Sequence, residues 1–357
     1  MRNKKKEDES KNNFKQSENK FSLLNINLIF EQKYNSPNLD LFSQPLIIFK
    51  SIYDKLFLIF SNSNNSIISY NINENKLIAE IKNCHNNTIS HFKHFFDKNK
   101  KRDIIMSLSY EDNNLKLWDA YNWENILNIP KVNNNGYLYS ACFLNKPNDF
   151  LNNILILTCN FRESNEAEEI KIFNLKGNKI NEIKNSNENT FSIESFYDIQ
   201  LSKTFIITGN KDYVKSYDFD DNQLYFKYQE NGNGFHFDII LKDNENMIKL
   251  LESCYDGFVR IWDFHSNLLL YKILASFTRG FIFYKCLWNN DYLFSGIFNR
   301  ISLFNLKDGA NIEIMKNIYI DIKYILCIKL PKYGDCLILL NDDKIQLLSI
   351  QKIYISN

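Results

Sequence analysis

His91 and His94, in SHFKHFFD, are the closest pair of the five histidines (His85, His91, His94, His236 and His265), and Cys84 stands directly before His85. Imidazole and thiolate are the usual ligands of zinc, but a site needs about four of them at close spacing. Neither pair has such company. Seven cysteines (Cys84, Cys142, Cys159, Cys254, Cys286, Cys327 and Cys336) are scattered with no C-x-x-C pair, mostly inside apolar runs. That pattern reads as reduced core thiols of an intracellular protein. No G-x-S-x-G, H-E-x-x-H, glycine-rich phosphate loop or EF-hand loop occurs, and Ser, His and Asp share no recognisable catalytic spacing. The expectation is therefore a protein without metal, cofactor or catalytic function.

A different spacing does repeat. Asp112 precedes Trp118 by six residues, and Asp256 precedes Trp262 by the same interval; each tryptophan is followed by an aspartate, Asp119 and Asp263. The shared pattern is apolar–x–apolar–aromatic–Asp/Asn–apolar. It returns in SIISYNI, LKLWDA, IKIFNL, VKSYDF (Tyr217, Asp218), VRIWDF, ISLFNL and, degraded, IQLLSI. The aromatic position falls at Tyr70, Trp118, Phe173, Tyr217, Trp262, Phe304 and Leu348, with successive intervals of 48, 55, 44, 45, 42 and 44 residues. Such self-similarity marks a repeat architecture.

The elements around each copy are short alternating runs rich in Ile, Leu, Phe and Tyr, which is strand periodicity. One apolar strand precedes the motif (LFLIF, DIIMSLS, ILILTC, TFIITG), another usually follows it (LIAEIK, QLYFKY, LLLYKI), and a fourth run opens the unit (SACFL, FHFDIIL, GFIFYKCLW). Gly (10) and Pro (5) are scarce, so Asn and Asp must supply the turns, which they can because they tolerate left-handed backbone and cap turns with their side chains. Four strands per unit, seven times, predicts an all-β, seven-bladed β-propeller of four-stranded antiparallel blades.

ESCYDGFVRIWDF and SYEDNNLKLWDA resemble the WD-repeat β-propellers, and the resemblance spans about residues 45–350. It implies a buried hydrogen-bonded set of a His, a strand Ser/Thr, a turn Asp and the Trp. Asp112 with Trp118, and Asp256 with Trp262, match the last two places. Cys84-His85 matches the Gly-His that opens a unit, and Tyr110 and Cys254 fall at the Ser/Thr place. The Asn-rich composition resembles that of proteins from an AT-rich genome such as a protist's. Only seven residues follow IQLLSI, so residues 21–32 (FSLLNINLIFEQ) are expected to complete the last blade. Residues 1–20 read as a disordered charged tail, and 21–357 as one propeller.

With 43 Lys+Arg against 42 Asp+Glu the net charge is +1, which gives no global pull toward nucleic acid or acidic membrane. No apolar run approaches the length of a membrane span, so the expected location is the cytoplasm, with the nucleus as the alternative. The expected function is a non-catalytic scaffold for protein–protein interaction in a multiprotein complex. Candidate contact residues are Arg162 and Glu166, in the acidic insertion of blade three, and Arg279 and Arg300. Arg279 belongs to FTRG, which is similar to the Phe-Arg-Arg-Gly motif of phosphoinositide-binding propellers with one arginine missing. The alternative function is accordingly a ligand-reading module, for phosphoinositide headgroups or nucleic acid, acting through a local basic patch.

Overall fold

The computed structural model describes residues 23–33, 43–132, 136–144, 154–161, 169–183, 189–210, 213–230, 237–242, 248–253, 256–275, 284–289, 291–297, 300–307, 309–315, 322–341 and 343–353. These residues form seven separate four-stranded antiparallel sheets, the blades of a propeller. In chain order, β1 (Leu23–Lys33) is followed by blade one: β2 (Leu46–Lys50), β3 (Leu56–Ser61), β4 (Ile67–Asn71) and β5 (Lys76–Ile81). Blade two is β6 (Ile89–Asp97), β7 (Arg102–Ser109), β8 (Asn114–Asp119) and β9 (Asn125–Ile129). Blade three is β10 (Tyr137–Leu144), β11 (Leu155–Phe161), β12 (Ile170–Asn174) and β13 (Lys179–Ile183). Blade four is β14 (Thr190–Asp198), β15 (Lys203–Asn210), β16 (Val214–Asp218) and β17 (Gln223–Tyr228). Blade five is β18 (Phe237–Lys242), β19 (Ile248–Ser253), β20 (Phe258–Asp263) and β21 (Leu269–Leu274). Blade six is β22 (Tyr284–Trp288), β23 (Tyr292–Ile297), β24 (Arg300–Asn305) and β25 (Asn311–Met315). Blade seven is β26 (Tyr324–Leu330), β27 (Gly334–Leu340) and β28 (Lys344–Ile353), with β1 as its outer strand, in the order β1-β28-β27-β26. The β1–β28 ladder runs from Leu23 opposite Ile353 to Lys33 opposite Lys344. The last blade is thus held by both ends of the described chain.

The repeated aromatic is the residue that joins one blade to the one before it. Trp118 packs with Phe49, Phe57 and Ile59 of blade one, and Trp262 with Phe205, Ile207 and Tyr228 of blade four. Phe173, Tyr217 and Phe304 do the same toward blades two, three and five. Leu348 packs toward blade six, and Tyr70 closes the ring against Leu330, Ile338 and Leu347 of blade seven. Burying a large side chain at each junction removes apolar surface from both neighbours at once, which draws seven separate sheets into one ring.

The turns follow the Asn/Asp chemistry that the sparse glycine demands. The residue after each aromatic caps the outer hairpin: Asp119 Oδ1 accepts from the Tyr121 amide at 2.9 Å, Asp218 Oδ1 from Asp220 at 3.0 Å, and Asp263 Oδ1 from Ser266 at 2.7 Å. Asn71, Asn174 and Asn305 do likewise in blades one, three and six. The same hairpins contain a residue with left-handed backbone: Asn75, Trp123, Gly177, Asn222, Asn267 and Gly309. Asparagine fills three of these six places, because it enters that region at lower cost than other residues with a side chain.

Candidate interaction surfaces

In blade two the hydroxyl is Ser107. Trp118 Nε1 donates to Ser107 Oγ at 2.8 Å, and His85 Nε2 lies 2.8 Å from the same oxygen. The other ring nitrogen, His85 Nδ1, lies 3.9 Å from Asp112 Oδ2. Asp112 accepts from the amides of Asn86 (2.6 Å) and Asn87 (3.0 Å), which ties the loop between blades one and two to the turn beneath it. Burial pushes the His85 imidazole down to about 3, with nearby Lys116 acting in the same direction and Asp112 against it. The ring is therefore neutral. This corrects the expectation for Tyr110, which instead stacks on Tyr137 at 4.6 Å.

Blade five builds the same place from charge. Leu250 pairs with Trp262 and Glu252 with Arg260, the register that Ile105–Trp118 and Ser107–Lys116 have in blade two. Glu252 thus replaces the hydroxyl, which corrects the assignment of that place to Cys254; Cys254 itself lies outside the described residues. Trp262 Nε1 donates to Glu252 Oε2 at 3.0 Å. Arg260, fully buried, reaches Glu230 at 2.5 Å, Glu252 at 3.4 Å and the carboxylate of Asp256. Burial alone would lower the guanidinium, but Asp256 and Glu230 more than offset it and hold it above its ordinary value.

Sequence reasoning missed the x of the repeated pattern. It is Lys116, Lys171, Lys215 and Arg260 in blades two to five, two residues before the aromatic. Lys116 and Lys171 donate across to the backbone carbonyls of Cys84 and Val132, the latter at 3.0 Å. The signal was present in LKLW, IKIF, VKSY and VRIW. It was hidden because a charge in a strand reads as solvent-facing until the preceding loop is known to fold over it.

Lys93, on β6 of blade two, forms an ion pair with Glu194, on β14 of blade four. Burial would lower the lysine, and Glu194 more than offsets this, leaving Lys93 above its ordinary range. Tyr324 of blade seven, beside them, is pushed up to about 12 by burial. His94 does not pair with His91: its Nε2 lies 2.7 Å from Asp103 Oδ1 and its ring stacks on Phe49 at 4.1 Å. His91 Nδ1 lies 3.1 Å from Ser90 Oγ. Among the described residues, no three His, Cys, Asp or Glu side chains are grouped so as to hold a metal ion. Also among them, no helix is long and apolar enough to cross a membrane.

Of the contact residues expected from sequence, Arg162, Glu166 and Arg279 lie outside the described residues, and Arg300 opens β24 with its side chain likewise outside. The basic run 97–103 contains the turn between β6 and β7, where Asp97 Oδ1 accepts from the Asn99 amide at 3.1 Å and the Lys100 amide at 3.2 Å.

No family model matches the sequence. No curated protein matches it either. Among solved structures, 1312 chains match. One is the crystal structure of Chaetomium thermophilum Raptor, similar with a TM-score of 0.67 and 14% identity over 94% of this chain. The match spans 30% of the Raptor chain. At that identity the likeness shows the fold alone.

Proposed function

We propose that this seven-bladed propeller is a non-catalytic scaffold that presents its faces to other proteins in a multiprotein complex, and that it is a divergent WD-repeat propeller. The observation that carries the reading is the anchoring of loops to the blades. In blade two the His85–Ser107–Trp118 set and Asp112 hold a loop down, and in blade five Arg260 binds Glu230, which follows β17, to the turn at Asp256. Loops fixed before contact lose little conformational entropy on binding, so a surface made of them can bind with modest area. The His85, Ser107, Asp112 and Trp118 set also supports the WD-repeat reading, since it is the set that the resemblance implies.

Affinity purification of the full chain from its native cells, followed by mass spectrometry, tests this. The scaffold reading expects a reproducible set of protein partners. Recovery of the chain alone, under conditions that keep complexes intact, would sink it.

A further inference from the structure

Blades one and two meet at three turns, all of them within the described residues. The turn between β2 and β3 leaves Tyr53 66% exposed and Ile52 40% exposed. Ser51 holds that turn in shape, its Oγ accepting from the amides of Tyr53 (3.3 Å) and Lys55 (3.2 Å). The Tyr53 ring meets Tyr121, in the turn between β8 and β9, edge-on at 5.2 Å, and Tyr121 meets Phe57 of β3 at 6.3 Å. An exposed aromatic is thus backed by a second ring from the neighbouring blade, on a capped turn.

Tyr121 joins this pair to the third turn. Its hydroxyl donates to Asp103 Oδ2 at 2.9 Å, and the Ala120 amide donates to the Asp103 carbonyl at 2.9 Å. Asp103 is buried, with its other carboxylate oxygen 2.7 Å from His94 Nε2. It directly follows the turn between β6 and β7, where Asp97 caps the Asn99 and Lys100 amides and lies 3.5 Å from Arg102. Both carboxylates are therefore occupied. Lys98, Lys100 and Lys101 fan out of this turn exposed, and among the described residues no carboxylate pairs with any of the three.

The distribution of charge selects the occupant. Free cations stand at one end, while the aromatic end carries Asp54 (side chain 85% exposed, paired with Lys50 at 2.9 Å) and the exposed Glu124. A membrane or nucleic-acid backbone, anionic throughout, would meet these carboxylates as well as the lysines. A second copy would set lysine against lysine, and like charges across an interface cost affinity. A short segment with separate apolar and acidic parts meets neither penalty.

We propose, building on the scaffold reading, that this corner of blades one and two docks a segment of another protein in which Asp or Glu residues lie beside a large apolar side chain. The apolar side chain covers Tyr53 and Ile52, and the carboxylates face Lys98, Lys100 and Lys101.

The test pans the immobilised full chain against a random dodecapeptide phage library. Excess soluble Y53S/K98E/K100E/K101E variant is present, so that only peptides needing this surface survive. Surviving peptides are synthesised and titrated by fluorescence anisotropy against the wild type, Y53S, K98E/K100E/K101E and the charge-keeping K98R/K100R/K101R. Thermal melts check that all four proteins are folded. The expected survivors combine Asp or Glu with Leu, Phe, Tyr or Trp, and lose about tenfold or more in affinity on Y53S and on K98E/K100E/K101E. They keep their affinity on K98R/K100R/K101R and weaken as salt rises. No survivors, basic or uncharged survivors, or binding unchanged by Y53S or by K98E/K100E/K101E would overturn the proposal. An absence of survivors together with sedimentation on phosphatidylserine vesicles, lost in K98E/K100E/K101E, would overturn it in favour of a membrane. Native partners retained equally by Y53S and K98E/K100E/K101E would remove this surface and leave the scaffold reading standing, whereas an absence of partners for the wild type would remove both.

Discussion

Trp262 donates its indole N–H to the buried carboxylate of Glu252 at 3.0 Å. The bond joins two strands of blade five while the ring itself fills the junction with blade four. One residue therefore carries both the internal order of a blade and its attachment to the next.

Truncating it tests both roles. Trp262→Ala should destabilise the protein by about 3–5 kcal/mol, as for a buried aromatic cut back in a core. Trp262→Phe keeps most of the packing but leaves Glu252 without that donor, and should cost about 1–3 kcal/mol. Urea unfolding measures both, and equal stability of all three proteins would show that the ring is not buried as described.

Arg260 gives a prediction of opposite signs. Arg260→Met takes the guanidinium away from the buried Glu252 carboxylate and should cost about 3–5 kcal/mol. Adding Glu252→Leu removes the stranded charge, so the double variant should be more stable than Arg260→Met alone. If the second substitution adds a further loss, the two side chains do not form the pair seen here.

His85 makes stability depend on pH. Its folded value of about 3 lies below the ordinary 6.5, so between these values the unfolded chain binds the extra proton and stability falls as pH falls. The effect is on the order of a few kcal/mol at the acid end of that window. Chemical denaturation at pH 7 and pH 4.5 should show the loss in wild type and a smaller one in His85→Gln. Equal slopes would mean that the ring titrates normally.

The buried thiols should resist alkylation. Burial raises Cys84 and Cys336 to about 11 and holds Cys142 and Cys286 well above the usual thiol range. Iodoacetamide at pH 8 should leave these four unmodified in the folded protein and label them after denaturation, as read by peptide mass spectrometry. Rapid labelling of the native protein would contradict their burial.

The blade count was legible because the repeated aromatic fills the same kind of junction around the ring, so its spacing is forced by geometry. Turns were legible for a similar reason: with few glycines, Asp119, Asp218 and Asp263 had to cap hairpins locally. Contacts between distant segments were not. Ser107 was passed over for Tyr110 because choosing among the hydroxyls of MSLSYED requires the strand register, which pairs Ser107 with Lys116. Glu252 was passed over because a carboxylate buried in a core is expected only once its partner Arg260 is known to lie opposite.

The most direct measurement of the central claim is the size of the particle that holds this chain in gently lysed native cells, by size-exclusion chromatography with detection of the chain. The scaffold account predicts elution well above the 42.4 kDa of the chain alone, together with other proteins. Elution as a free 42.4 kDa species would contradict it.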